Sequence, residues 1–286
     1  MRHDGGVTAA EELLAIADRA ASYDGVDPFS EQTRLALRHT QPQQVISTDD
    51  TVRAGAYVTD DGAVELVVDP DRRRHGFGTR LVRSLLEERP DARFWAHGDL
   101  PGARGLAAAA GMTIVRNLWK MGRAAGAAPA IGSPEVPRGF TARTFQPGDE
   151  EAWLDLNRRA FEHHPEQGRM TRADLDERMA EPWWEPAGLI LIVDDATGAL
   201  AASHWTKIDP AEPGTGEVYV VAVDPGHQGH GLGKVVTALG LAHLTSRGVT
   251  HLELYVEGDN AAAVATYTGL GFARESVDVM YALVAE

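Results

Sequence analysis

The sequence predicts an α/β fold built as two tandem copies of one domain, and three observations point to it. First, "VVDPDRRRHGFG" (67–78) recurs as "AVDPGHQGHGLG" (222–233), so that Asp69 and Asp224 lie 155 positions apart. Second, the helix ends Gly111-Met112 and Gly271-Phe272 lie 160 positions apart, an offset that stays nearly constant over several elements. Third, "GRAAGAAPAIGSPEVPRG" (122–139) has no periodicity and is rich in Gly, Ala and Pro, as a linker or boundary strand is. Two domains are also the ordinary expectation for 286 residues. The expected division is a first domain over 1–123, a linker over 124–138 and a second domain over 139–286.

The elements follow in order. Thr8 with Glu11 reads as a capping box opening a helix whose Leu13, Ile16, Ala17 and Ala20 share one face. A short helix near Glu31–Leu37 comes next, then two strands, "VRAGAYVTD" and "AVELVVD". The first glycine turn feeds a helix carrying Leu81, Val82, Leu85 and Leu86. The strand "RFWAH" and an alanine-rich helix ending at Gly111 complete the first copy. Beyond the linker come the strand "FTARTF", the helix "DEEAWLDLNRRAF" and a helix opening near Thr171. The strands "LILIVDD", "AASHWTKI" and "GEVYVVAVD" then lead to a helix over Gly231–Arg247. The strand "HLELYV", the helix "NAAAVATYTGLG" and a last strand, "SVDVMYAL", finish the second copy.

Composition removes several function classes. Hydrophobic residues at 43% and charged residues at 24% suit globular domains with real cores. A net charge of −15 argues against nucleic acid or an anionic membrane as partner, because both reward clustered Lys and Arg. The chain has no cysteine, hence no disulfide framework, thiol nucleophile or thiolate metal site. The N-terminal stretch reads as no signal peptide, and no apolar run is long enough to span a bilayer. The expectation is a cytoplasmic monomer.

The second glycine turn fails as a P-loop, since Gln228 stands five before Gly233 and Val235 follows Lys234. It fails as a GxGxxG fingerprint, since Gly229, Gly231 and Gly233 are spaced GxGxG. His227 and His230 lack the further ligands of a metal site, so no metal is expected and solvated loop histidines are. What remains is a strand, a turn and a helix start whose backbone N–H groups suit an anion. A lone turn of this kind is as readily a tight packing corner; two copies, each between an apolar strand and an amphipathic helix, favour a pyrophosphate.

The pattern R/Q-x-x-G-x-G/A after a strand resembles the acetyl-CoA signature of the GCN5-related N-acetyltransferase (GNAT) family. It stands here as Gln228-Gly229-His230-Gly231-Leu232-Gly233 and as Arg73-Arg74-His75-Gly76-Phe77-Gly78. "YVEGDNAAAVATYTGLGF" is similar to that family's second cofactor segment, with Asn260 and Tyr267 in matching positions. The resemblance implies in each copy a mixed, mostly antiparallel sheet flanked by helices, and acetyl-CoA as co-substrate. In the second copy it implies cofactor contacts from Val221, Ala222 and Val223, from Gln228 to Lys234 through Gly229, His230, Gly231, Leu232 and Gly233, and from Asn260, Ala261, Ala262, Ala263, Val264 and Ala265. In the first copy it implies Leu66, Val67, Val68, Arg73, Arg74, Gly76 and Gly78. The strings "EQ" (31–32), "HPEQG" (164–168), "HWTK" (204–207), "GEVYV" (216–220) and "LYVEGDN" (254–260) narrow it. They resemble tandem members that acetylate the cysteinyl amine of cysteinyl-glucosaminyl-inositol. That match implies acceptor contacts from Glu31, Glu166, Lys207, Glu217 and Tyr255, in a cleft between the domains.

Amine acetylation requires a base for the ammonium, a donor for the developing oxyanion and a proton for the departing thiolate. Alternation places Glu217, Tyr219, Val221 and Val223 on one strand face. From the residues alone Glu217 is as well a solvated strand-end carboxylate, and Tyr267 a helix tyrosine packed on the sheet. The resemblance implies Glu217 as general base and Tyr267 as general acid. His163, His164 and His204 read as structural. By the repeat offsets Glu217 corresponds to Gly62, Asn260 to Leu100 and Tyr267 to Ala107, with Glu65 close by. One active site, in the second copy, is therefore expected. The rivals are an acetyltransferase for another primary amine and a silent acetyl-CoA-binding regulator.

Overall fold

The computed structural model describes residues 8–49, 51–59, 62–127, 129, 135–162 and 167–284. The described residues divide into two units: Met1–Trp119 with Glu257–Asp259 and Ser276–Glu286, and Lys120–Val256 with Asn260–Glu275.

The first unit opens with α1 (Ala9–Asp24), started by the anticipated capping box: Thr8 Oγ1 accepts from Glu11 N–H and Glu11 accepts from Thr8 N–H. After α2 (Glu31–Leu37) come β1 (Gln44–Thr48), β2 (Thr51–Val58) and β3 (Ala63–Val68), paired antiparallel in that order. Next are α3 (Phe77–Glu88), β4 (Arg93–Ala96), α4 (Pro101–Ala109) and the start of β5 (Thr113–Ala124). Leu13, Ile16, Ala17 and Ala20 of α1 bury against Phe29, Leu37 and Val67. Val82 and Leu85 of α3 form a second core with Phe94, Ala107 and Met112.

The second unit holds β6 (Phe140–Thr144), α5 (Glu150–Ala160), α6 (Arg172–Met179), β7 (Leu189–Asp194), β8 (Leu200–Lys207) and β9 (Thr215–Val223). It continues with α7 (Leu232–Ser246), β10 (His251–Glu257), α8 (Ala261–Gly269) and the start of β11 (Ala273–Ala282). The strand order β10-β9-β8-β7-β6 is antiparallel except for the parallel pair β9–β10. Its core joins Trp153 and Leu156 of α5 to Leu175, Leu189, Leu191 and Trp205. Edge-to-face indoles, with Trp153 and Trp205 centroids 5.2 Å apart, fill its centre.

The structure departs from the sequence-drawn division at two strands. The last strand does not finish the second unit: its residues from Ser276 onward belong to the first, where Val279–Ala282 pair antiparallel with β4. Val279, Met280 and Tyr281 are buried there, at 1, 2 and 7% exposure, and Val279 and Tyr281 complete the α3 core. Conversely, the stretch from Thr113, to which the sequence assigned no strand, is β5, and Gly122–Ala124, read as linker or boundary strand, is its end. The strand was hidden because its alternation is broken by charges that find partners, Arg116 with Glu257 and Lys120 with Glu253.

Candidate active site

In the second unit, β9 delivers the chain to a turn held from below. Asp224 accepts from Gly226 N–H at 2.8 Å, capping a 3-10 turn (Pro225–His227), and is gripped by Arg159 of α5 at 2.6 Å. His227 bridges Asp224 and Asp194, 3.2 Å from each, and the Asp194 hydrogen bond raises its pKa. It is thus an ion-paired brace rather than the solvated loop histidine expected. His230 is exposed, with Nδ1 3.2 Å from the His227 carbonyl. Gly229 (φ +84°) and Gly231 (φ +74°) take the left-handed backbone that L side chains avoid, and Gly231 caps α7 without a side chain. The first N–H groups of α7, at Leu232, Gly233 and Lys234, therefore have no side-chain cap, and α7 has no acid in its first turn.

Beside the turn the sheet opens. The β9–β10 register runs from Thr215↔His251 to Val218↔Leu254 and ends there, so β9 from Tyr219 to Val223 has no β10 register partner. That unpaired edge includes Val221, Ala222 and Val223. On the other edge β9 pairs with β8, which places Lys207 opposite Glu217. The Lys207 Nζ lies 4.0 Å from Glu217 Oε2, with the two side chains 11 and 20% exposed. Glu253 of β10 is the register partner of Glu217 and pairs with Lys120 at 2.8 Å. Tyr255, two residues on, is 46% exposed, with Lys120 Nζ 5.9 Å from its ring centroid.

Asn260 caps α8, its Oδ1 accepting from Ala263 N–H at 3.1 Å, so Ala261–Ala265, the cofactor contacts expected from sequence, form the beginning of that helix. Tyr267 lies near its end, edge-on to Phe272 at 6.0 Å, and burial pushes its phenol up to about 12. Sequence reasoning missed Arg123. It is buried at 4% exposure and donates to the Leu270 and Ala127 carbonyls and, at 3.0 Å, to that of Pro129. It thereby ties the C-terminal end of α8 to the chain after β5, a role no local motif announces. His204 is fully buried, its Nδ1 3.1 Å from the Val236 carbonyl, and burial depresses its pKa to about 4, as befits a neutral structural histidine. Glu31 is the first residue of α2, in the other unit. Glu166, His163 and His164 lie outside the described residues. Among the described residues no group of His, Asp and Glu is arranged to hold a metal, and no helix is long and apolar enough to cross a membrane.

Residues 150–272 match the acetyltransferase (GNAT) family. The whole chain is similar to curated proteins named mycothiol acetyltransferase. That of Kytococcus sedentarius is 50% identical over 95% of this chain and 94% of its own, and that of Thermobispora bispora 48% identical over 95% of each. The chain belongs to the mycothiol acetyltransferase family. The fold agrees with a GCN5-related N-acetyltransferase from Sphaerobacter thermophilus (TM-score 0.72, 23% identity, 96% of this chain and 92% of that one). It agrees equally with a tandem GNAT protein from the clavulanic acid biosynthesis pathway (TM-score 0.71, 20% identity, 96 and 94% covered). Two GNAT-like units are therefore the architecture of this mycothiol acetyltransferase-family chain.

Its first unit repeats the turn down to side chains. Asp69 accepts from Asp71 N–H and is gripped by Arg19 of α1 at 2.8 Å, as Asp224 is by Arg159. Gly76 (φ +81°) caps α3 as Gly231 caps α7. Arg74 holds φ +65° where the second copy has Gly229. The β3–β4 register covers only Ala63↔Arg93 and Val64↔Phe94, so this sheet opens too. A cavity of 780 Å³ fills the opening, and Leu66, Val67, Val68, Arg73, Arg74, Gly76 and Gly78 all line it. Arg73 is held by Asp24 through two hydrogen bonds of 2.7 and 2.6 Å. Leu100 caps α4 where Asn260 caps α8, and the Met112 N–H to Ala107 carbonyl bond repeats that from Phe272 to Tyr267, each 3.0 Å. Glu65, the nearby carboxylate, is buried at 3%, accepts from Ser30 N–H and faces His97, whose Nδ1 is 3.1 Å from Asp278. Burial would push His97 down, yet Asp278 and Glu65 outweigh it and hold its pKa at about 10.

Proposed function

We propose that the chain transfers the acetyl group of acetyl-CoA to the cysteinyl amine of cysteinyl-glucosaminyl-inositol, giving mycothiol, and that the chemistry resides in the second unit. The observation that carries the acceptor is the 50% identity, over nearly the full length, to a protein named mycothiol acetyltransferase. The placement in the second unit is supported by Glu217 and Tyr267, whose counterparts in the first are Gly62 and Ala107.

Acetyl-CoA, when bound, supplies the activated acyl group. The α7 start and its left-handed glycines fit a pyrophosphate, and the unpaired edge of β9 at Val221–Val223 fits pantetheine and the acetyl carbonyl. Glu217 takes a proton from the acceptor ammonium, leaving the amine to attack the thioester carbonyl. The β9 backbone N–H groups stabilise the oxyanion. As the C–S bond breaks, Tyr267 donates its phenolic proton to the departing sulfur. A phenol with a pKa of about 12 is fully protonated at neutral pH, as a donor must be. Glu31, Glu166, Lys207 and Tyr255 hold the polar acceptor in this reading, and the first unit holds a second acetyl-CoA without turning it over. The enzyme is taken to be a cytoplasmic monomer that needs no metal.

The test is thiol release from acetyl-CoA with cysteinyl-glucosaminyl-inositol, peptide N-termini and aminoglycosides in parallel, with and without chelator. The expected result is a kcat/KM for the first acceptor at least ~10²-fold above the others and unaffected by chelator. Equal rates on the other amines would reject the acceptor, and no thiol release with any amine would reject the enzyme.

A further inference from the structure

Tyr267 stands in the last turn of α8, and that end of the helix is closed twice. The chain closes it first. Gly271 (φ +85°) takes the left-handed backbone, its N–H donating to the Thr268 carbonyl at 2.9 Å, while Phe272 N–H donates to the Tyr267 carbonyl at 3.0 Å. This stop brings the Phe272 ring against that of Tyr267, the hydrophobic contact that accompanies such a cap. Arg123, near the end of β5, closes it again from outside. Its guanidinium donates to the Leu270 carbonyl, at the C-cap, and lies over the Phe272 ring, 6.0 Å from the centroid. Its other donors go to the carbonyls of Ala124, Ala127 and Pro129. A cation is favoured at a helix C-terminus, but burying one to 4% exposure is costly.

The first unit shows that the stop works with other groups around it. Gly111 (φ +72°) donates to the Ala108 carbonyl at 3.1 Å and Met112 to that of Ala107 at 3.0 Å, so α4 ends as α8 does. By the offset of 160 positions, Ala107 stands for Tyr267, Met112 for Phe272 and Leu283 for Arg123. Leu283 is 42% exposed. The buried arginine and the aromatic ring beneath it therefore accompany the tyrosine, not the helix end.

We infer that Arg123 is a positioning residue for the Tyr267 phenol: through the Leu270 carbonyl and the Phe272 ring it fixes the last turn of α8, and with it the point from which the phenolic proton is given. The inference rests on the reading of Tyr267 as the general acid. A proton reaches the departing sulfur only over hydrogen-bond distance, so a displacement of about 1 Å at this helix end costs rate. Arg123 grips the opposite end of α8 from Asn260, so the cofactor contacts expected at Ala261–Ala265 are not its to hold. Its loss is read in kcat rather than in the KM for acetyl-CoA.

The experiment is the steady-state rate of thiol release with cysteinyl-glucosaminyl-inositol at saturating acceptor, in Arg123→Met, Arg123→Lys, Phe272→Leu, Tyr267→Phe and the double variants of the first and third with Tyr267→Phe. Arg123→Met is expected to lower kcat about tenfold and leave the KM for acetyl-CoA within about twofold. Arg123→Lys, which keeps a cation for the Leu270 carbonyl, is expected to recover most of the loss. In the Tyr267→Phe background Arg123→Met is expected to cost less than about twofold more, because the strap acts only through the phenol. Phe272→Leu keeps the strap and removes the ring, so it tests the inference even where Arg123→Met yields no folded protein. It is expected to lower kcat about threefold, and this loss too should vanish in the Tyr267→Phe background. An unmoved kcat, a KM that rises as much as kcat falls, or an undiminished loss beside Tyr267→Phe would overturn the inference. Tyr267→Phe alone separates the two readings. If it leaves kcat unchanged, the acid assignment fails and the positioning role with it. If it lowers kcat while Arg123→Met and Phe272→Leu do not, the positioning role alone fails.

Discussion

Asp69 and Asp224 stand at the same point of two copies of one motif, each gripped by an arginine from the first helix of its unit and each leading to a left-handed glycine that caps a helix. The scaffolds match; the groups around them do not. At the second turn a half-buried carboxylate faces a lysine across the strand pair, and a tyrosine sits near the end of the following helix. At the first, the nearby carboxylate, Glu65, is sealed against a doubly paired histidine and a backbone N–H. The strand–turn–helix motif thus presents uncapped backbone N–H groups in both copies, and in the proposed function catalysis is added by side chains the motif does not specify.

Breaking the contrast most strongly means exchanging its carboxylates. Glu217→Gln is expected to lower kcat by ~10²–10³, whereas Glu65→Gln leaves kcat within about twofold and lowers the melting temperature, since it disturbs a buried ion pair. Steady-state kinetics with thermal melts on both variants read the difference. Tyr267→Phe comes next, with an expected fall of ~10–10² in kcat at nearly constant KM for acetyl-CoA. A KM effect of the same size would make the phenol a binding group instead.

The turns themselves provide a smaller contrast. Valine at Gly231 forces a side chain into a left-handed backbone and is expected to raise the KM for acetyl-CoA about tenfold. Valine at Gly76 should remove one equivalent of bound cofactor in calorimetry without changing turnover. The smallest effect concerns His97. Its pKa is raised from 6.5 to about 10, so its stabilising contribution is fully present below the unfolded value and is lost as pH rises through about 10. His97→Gln should therefore lower the melting temperature by several degrees at pH 6–7, and the gap to the native chain should close towards pH 10.

Much of the repeat was legible because its signals are local. Asp, Pro and Gly at fixed spacing encode the turns, Thr8 with Glu11 encodes the start of α1, and Asn260 encodes the cap of α8. Features built by distant residues were not legible. Glu65, His97 and Asp278 come from three strands or their ends, and 181 positions separate the last two. The ring contacts around Lys207 join a loop residue, Trp183, to β8 and β9. Arg123 looks like the end of a domain in the sequence, yet it fastens the helix that carries Tyr267. β5 hid because its charged residues are paired inward rather than exposed, which erased the alternation by which strands are recognised.

The path of β11 has a consequence for how the protein comes into being. A ribosome releases the first unit's helices and its first four strands early, but β4 must wait for Val279–Ala282 before that edge is paired. Until then Phe94 and Met112 lack the Val279 and Tyr281 side chains that cover them. The first unit is therefore the one whose completion depends on synthesis of nearly the entire chain. A nascent polypeptide stalled before residue 276 would expose an unfinished sheet edge, the kind of surface that chaperones hold and proteases remove.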